Sequence, residues 1–176
     1  MVTVAATTWV GAAPQEVFDV VDTPANHARF SPSLSSVYAV EEVENGGHRA
    51  LYTYRLFGLA LTGSVEAVQH ERPRRLRFAL RGGIDGEMDW GFEAADGGTL
   101  VTCEATFTVP GGPLASLLEP LVRAYTQREV EATLSRLGSM VASSDVESDG
   151  EPVAESGTES VAESGTESVA ESDAKS

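Results

Sequence analysis

The chain has 176 residues, with 12 Lys or Arg against 27 Asp or Glu, so its formal net charge is −15. This length suits one domain with a packed core. The acid excess argues against nucleic acid and against an acidic membrane surface as partners, because both are bound through basic side chains.

The predicted elements begin with a strand and two short helices. β-Branched residues and Trp9 indicate a strand over 2–10. Pro14 suits the first turn of a helix and Glu16 lies near its positive end. Asp22-Thr23-Pro24 ends that helix and can cap a second one, which stops at Ser31-Pro32.

From Leu34 to Val109 apolar and polar residues alternate, which is typical of strands. Turn sequences rich in Gly, Asn, Asp or Pro separate six segments, over 34–44, 48–57, 59–70, 74–81, 84–94 and 99–109. Short turns between successive strands predict an antiparallel meander.

Alternation gives this sheet one apolar, aromatic face and one charged face. Arg75, Arg77 and Arg81 share the charged face with the neighbouring Asp85, Glu87, Asp89 and Glu93. We therefore interpret the arginine-rich segment as a source of cross-strand ion pairs rather than as a phosphate or RNA site.

Apolar residues then recur every three or four positions from Leu114 to Val141, which predicts a long amphipathic helix that Pro120 should kink or split. The last segment, 144–176, repeats VAESGTES and has ten acids and one base, so it carries −9 and residues 1–143 carry −6. We expect a domain over 1–143 and a disordered acidic tail over 144–176, since the tail has too little apolar surface to offset chain entropy.

Basic residues in 1–143 are all arginine, eleven in number, and the same region is rich in acids. This bias resembles proteins of salt-in halophiles, in which concentrated ions screen self-repulsion. We hypothesise a halophilic, archaeal source, which folding measurements from low to multi-molar KCl would test.

Three segments resemble a known family: APQEVFDVVDTPANHARFSP, ERPRRLRFALRGG and MDWGFEAADGGTLVTCEATF. With the element order, they are similar to the START-like (SRPBCC) polyketide cyclase/dehydrase and lipid transport superfamily over about residues 2–141. The resemblance implies an α+β helix-grip, Bet v 1-like fold with a curved seven-stranded antiparallel sheet, two short helices after strand 1 and a long C-terminal helix. It also implies a hydrophobic ligand, such as a lipid, sterol, quinone or polyketide, between sheet and long helix.

Candidate cavity residues are the large side chains expected to face this interior. They are Tyr52, Tyr54, Phe78, Met88, Trp90, Phe92, Phe107 and, from the long helix, Tyr125. Tyrosine hydroxyls and an indole N–H in an apolar interior each need a partner, which a ligand or a trapped water would supply.

Other reactive residues give weaker signals. His27, His48 and His70 lack metal-ligand spacing, and Ser64 lacks a nucleophile-elbow sequence. The single Cys103 excludes an internal disulfide and is expected to be an inert core thiol. No catalytic residue, metal or cofactor is therefore expected.

The leading prediction is a protein that binds, carries or sequesters a small hydrophobic ligand. An empty cavity smaller than about 300 Å³ would overturn this prediction. A polyketide cyclase or dehydratase using the same pocket is one alternative, and a quinone-chaperone or ribosome-associating module, acting through a protein partner, is another. Because the N-terminus has no basic region and no apolar run approaches about 18 residues, we expect a cytoplasmic location without stable membrane insertion.

Overall fold

The computed structural model of the chain describes residues 1–108 and 115–148. Its elements follow the predicted order. They are β1 (Val2–Val10), α1 (Pro14–Asp22), α2 (Pro24–Phe30), β2 (Leu34–Glu42), β3 (His48–Leu56), β4 (Leu59–Glu71), β5 (Arg75–Gly82), β6 (Asp85–Ala95), β7 (Gly98–Thr108) and α3 (Ala115–Ser148). Among the described residues, no helix combines the length and apolarity needed to cross a membrane.

The predicted meander is confirmed by the strand order β1-β7-β6-β5-β4-β3-β2, with every neighbouring pair antiparallel. Strands β2 to β7 pair in succession because short turns join them. β1 instead lies beside β7, so α1 and α2 carry the chain from one edge of the sheet to the other.

Strand β2 forms an irregular edge. Its pairing with β3 shifts register between Leu34 and Ser36 and again between Tyr38 and Glu41. Within the second shift Ala39 has a φ of 52°, in the left-handed region. Such bulges bend a strand and interrupt its row of backbone hydrogen bonds.

Helices α1 and α2 pack their aromatic residues onto the inner face of the sheet. The ring centroids of Phe18 and Phe92 are 5.4 Å apart, and those of Phe30 and Trp90 are 6.2 Å apart. All four side chains are buried. Burying a side chain of this size contributes about 2–3 kcal/mol, so this cluster fixes the helix pair on the sheet.

The predicted side-chain cap of α2 is not formed. Thr23 occupies the N-cap position, but its hydroxyl donates to the carbonyl of Asp19 in α1 at 2.7 Å. At the start of α1 the Glu16 carboxylate accepts the N–H of Ala13 at 2.9 Å, as expected for an acid near a helix N-terminus.

Helix α3 is one helix of 34 residues with Pro120 inside it, so no separate first turn is split off. It packs mainly against β1, and also against α2 and β7. Its buried side chains are Val122, Val130, Thr133, Leu134, Leu137 and Val141. The helix continues to Ser148, past the predicted domain end at 143, while the remaining tail, 149–176, lies outside the described residues.

The arginines of β5 form the predicted cross-strand pairs at one acid. Both Arg75 and Arg77 bind Asp89 of β6. Nη2 of Arg75 lies 2.5 Å from Oδ2 of Asp89, and Nη2 of Arg77 lies 2.9 Å from it. The hydrogen bond from Arg75 lowers the pKa of Asp89. Elsewhere in the segment Arg72 pairs with Asp19 of α1, and Arg81 donates to the carbonyl of Leu80.

Replacing the shared acid should destabilise the sheet modestly. Asp89→Asn keeps the shape but removes the charge that two guanidinium groups share, so we expect the free energy of unfolding to fall by about 1 kcal/mol. Urea unfolding at low salt measures this. Glu93→Gln, at an exposed position of the same strand, is the matched control, and equal effects of the two substitutions would contradict the assignment.

Candidate functional site

A cavity of about 170 Å³ lies on the inner face of the sheet, in the region that α1 and α2 leave uncovered. Apolar residues of β3, β4, β5 and β7 form its floor, and Val122 and Thr126 of α3 contribute to its wall. An apolar cavity of about 150 Å³ can hold benzene, whereas sites for drug-sized ligands span about 300–1,000 Å³. The cavity is thus below the limit of about 300 Å³, so the expectation of a space for a whole lipid, quinone or polyketide is not met, and there is room for a group about the size of one ring.

Five of the eight candidate cavity residues line this space. They are Tyr52, Tyr54, Phe78, Met88 and Phe107. Trp90 and Phe92 face inward as predicted, but they are buried in the core under α1 and α2 and are not part of the cavity wall. The ring of Tyr125 packs on Phe57 beside the cavity, with centroids 4.8 Å apart. Contact of any of these residues with a ligand stays a prediction.

The tyrosine hydroxyls are paired within the protein, contrary to the expectation that a ligand or water would supply their partners. Oη of Tyr52 accepts the N–H of Ile84 at 3.1 Å and lies 3.3 Å from the carbonyl oxygen of the same residue, to which it donates. Oη of Tyr125 and Oγ of Ser33 are 2.7 Å apart, and Tyr54 also hydrogen-bonds Ser33. Burial raises the pKa of both Tyr52 and Tyr54, so their hydroxyls are neutral at physiological pH.

Gly63 makes room for Tyr52. A Cβ at this position would lie 2.6 Å from Oη of Tyr52 and would collide with the carbonyl oxygen of Arg81. The absence of a side chain at this position of β4 therefore leaves the space that the tyrosine ring of β3 occupies.

The polar end of the cavity, which consists of Asp22, His27 and His48 together with His70 bound to Asp22, was not predicted as a unit from the sequence. Asp22, His27 and His48 line the cavity. Nε2 of His70 lies 2.9 Å from Oδ2 of Asp22, and the His70 ring packs against the Gly46-Gly47 turn that leads into His48. The four residues come from α1, α2, β3 and β4, so no local sequence motif could indicate that they lie together. Strand alternation was the usable signal, since it places His48 on the same face as Ala50 and Tyr52.

Burial sets the protonation of His27. It lowers the pKa of this imidazole to about 4. Nε2 of His27 lies 2.6 Å from the carbonyl oxygen of Val21. A neutral imidazole carries one N–H, so Nε2 holds the proton and donates, and Nδ1 keeps a lone pair as an acceptor.

Two buried nitrogen atoms lack a hydrogen-bond partner in the part of the chain that the structure describes. They are Nδ1 of His48 and Nε1 of Trp90. Leaving a buried polar atom unpaired costs about 1–3 kcal/mol. His48 lines the cavity and Trp90 does not. Nδ1 of His48 is therefore the unpaired nitrogen that could form a hydrogen bond with a molecule in the cavity.

Cys103 and the possible metal ligands gave weaker functional signals in the sequence. Cys103 is buried in the core, as predicted, and burial raises the pKa of its thiol, so it is an inert apolar group. Across 1–108 and 115–148 no cluster of three His, Cys, Asp or Glu side chains could hold a metal ion.

A family model described as polyketide cyclase / dehydrase and lipid transport matches residues 1–142. The chain belongs to this family. No sequence among the curated proteins matches the chain.

Solved structures share the fold of this family member at low sequence identity. A Thermus thermophilus protein has a TM-score of 0.73 at 22% identity, covering 81% of this chain and 98% of that one. A START superfamily protein from Mycobacterium smegmatis has a TM-score of 0.65 at 13% identity, covering 80% and 97%. The Zhui aromatase/cyclase from Streptomyces has a TM-score of 0.67 at 15% identity, covering 80% and 93%. The likeness establishes the helix-grip fold of START and Bet v 1-like proteins, and at these identities it shows the fold alone.

Gly63 provides a test of the packing around Tyr52 in this family member. Gly63→Ala should lower the free energy of unfolding by about 2–4 kcal/mol, because the new methyl group meets backbone that cannot move aside. Ser64→Ala, the next residue of β4, is the control and should cost under about 1 kcal/mol. Chemical denaturation compares the two, and similar values would show that the floor tolerates a side chain.

His27 should make this family member acid-sensitive. The unfolded chain takes up a proton at the ordinary pKa near 6.5 and the folded chain only near 4, so the free energy of unfolding falls as the pH drops from about 6.5 to about 4 and is unaffected by His27 above that range. The ring keeps some solvent exposure, so we expect a loss of about 2 kcal/mol. Urea unfolding between pH 7.5 and 4 should show this loss in the wild type but not in His27→Gln. Parallel curves would contradict the assignment.

Proposed function

We propose that the chain binds a small, mainly apolar molecule in this cavity and needs no covalent chemistry to do so. The observation that supports the proposal is a partly enclosed apolar space between sheet and helices, in a chain that belongs to a family named for cyclisation, dehydration and lipid transport.

The cavity volume decides which ligands are compatible. About 170 Å³ accommodates a single aromatic ring or a short hydrocarbon group. A whole lipid, quinone or polyketide would fit only with part of the molecule inside, or after the surrounding elements move apart. For a ligand of about eight non-hydrogen atoms we expect a Kd between about 1 mM and 1 μM, given the binding free energy that each atom can contribute.

The enzymatic alternative, a polyketide cyclase or dehydratase in the same pocket, finds its support in the fold shared with the Zhui aromatase/cyclase. It requires a proton donor or base that reaches the ligand. The hydroxyl of Tyr52 is engaged with Ile84, and Nε2 of His70 is engaged with Asp22. Binding requires only the apolar cavity and no activated group, so binding without turnover is the function that we propose.

A cavity-filling variant tests the binding proposal. Ala50 is 3% exposed and lines the cavity, whereas the next residue, Leu51, is 40% exposed and points to the opposite face. Toluene should bind the wild-type protein in calorimetric titrations and raise its Tm. Ala50→Leu should weaken binding at least tenfold because the larger side chain occupies the space, while Leu51→Ala should leave the affinity unchanged.

Circular dichroism of each variant shows whether it is folded, and native mass spectrometry of the purified wild type reports any hydrophobic molecule that it retains. Absence of toluene binding to the wild type, or equal affinity in the wild type and Ala50→Leu, would overturn the proposal. Product formed from a polyketide substrate and lost in Tyr52→Phe would favour the enzyme.

A further inference from the structure

We propose that the polar end of the cavity selects molecules with a hydroxyl group, such as a small phenol or alcohol, and that Nδ1 of His48 pairs with that hydroxyl. The inference rests on the proposed function and deepens it by naming the chemical class of the ligand. It comes from the hydrogen-bonding capacity that the cavity wall leaves unused.

The position of His48 follows from the strand that carries it. His48 is the first residue of β3, and alternation along the strand puts it on the inner face with Ala50 and Tyr52. All three residues line the cavity. Nδ1 of His48 is fully buried and has no partner among the described residues, so a ligand group placed against it would remove a desolvation cost already present.

The neighbouring polar groups favour a donor on the ligand. His27, also in the wall, keeps a lone pair on Nδ1, because the only proton of this neutral ring is donated to Val21. Asp22 presents carboxylate oxygens, one of which is bound by His70. The polar end is therefore rich in acceptors, and a bound group that can donate a hydrogen bond is matched to it.

Charge rules against an anion at this position. Asp22 belongs to the described cavity wall, and no Lys or Arg of the described residues does. A carboxylate or phosphate ligand would be repelled and would have no cationic partner. A hydroxyl group is neutral, and it can donate a hydrogen bond to the lone pair of His48 Nδ1.

A pair of nearly isosteric probes measures this selectivity. p-Cresol and p-xylene differ by a hydroxyl in place of a methyl group, so the ratio of their Kd values isolates the contribution of the hydroxyl. The ratio of the p-xylene Kd to the p-cresol Kd should be about tenfold higher for the wild type than for His48→Leu. This factor corresponds to one hydrogen bond to an otherwise unpaired buried atom. Val65→Ala, an apolar change in the same wall, is the control and should alter both affinities by the same factor.

Two further measurements keep the test independent of one variant. If His48→Leu does not fold, 4-methylanisole, whose oxygen is methylated, replaces the variant and should bind wild type about tenfold more weakly than p-cresol. Addition of p-cresol should also shift the ¹⁵N resonance of His48 Nδ1, whereas p-xylene should not.

The outcomes separate this inference from the function on which it rests. If p-xylene binds and the p-cresol preference is unchanged in His48→Leu, the hydroxyl assignment is overturned and hydrophobic binding stands. If neither probe binds the wild type, the proposed function itself fails. Tighter binding of 4-methylbenzoate than of p-cresol would also overturn the inference, because it would place a favourable anion site where the wall is acidic.

Discussion

The docking of two short helices on half of a sheet is the interaction on which the rest of the structure depends. Phe18 and Phe30 bury themselves against Phe92 and Trp90, and this contact holds α1 and α2 at one end of the inner face. The helix pair is too short to cover the whole sheet. The other end is left to α3, whose buried side chains contact mainly β1, and the space between them remains as the cavity.

Polar groups in and beside this space fall into two kinds. The hydroxyls of Tyr52, in the wall, and Tyr125, beside it, have hydrogen-bond partners within the protein, and these bonds link strands and helix. The imidazole nitrogen of His48 is not satisfied. Internal hydrogen bonds therefore fix the position of these tyrosines, while the unpaired nitrogen of His48 can make a directional contact with a ligand.

Much of the fold could be predicted because its signals are local. Period-two alternation and turn residues determine the meander and its two faces, and the same alternation correctly places Cys103 inside and the Arg75–Asp89 pair outside. The effect of Pro120 could not be predicted from the sequence. The helix is not split there, because packing along the rest of α3 outweighs the loss of one backbone hydrogen bond near its start.

The site was harder to predict because it depends on where distant elements meet. Alternation shows that Trp90 and Met88 both face inward, but only the placement of the helices decides that Trp90 is covered and Met88 borders a cavity. The grouping of His27, His48 and His70 likewise depends on tertiary contacts among α2, β3 and β4, which spacing along the chain does not encode.

The bulged edge strand β2 has a consequence for the protein at high concentration. A straight edge would offer neighbouring molecules an uninterrupted row of N–H and C=O groups, which is the usual starting point of edge-to-edge aggregation. The register shifts around Ala39 break that row, and the exposed Glu42 places negative charge beside the break. The open sheet has two edge strands, β1 and β2, and at β2 the irregular pairing itself hinders the addition of a strand from another molecule.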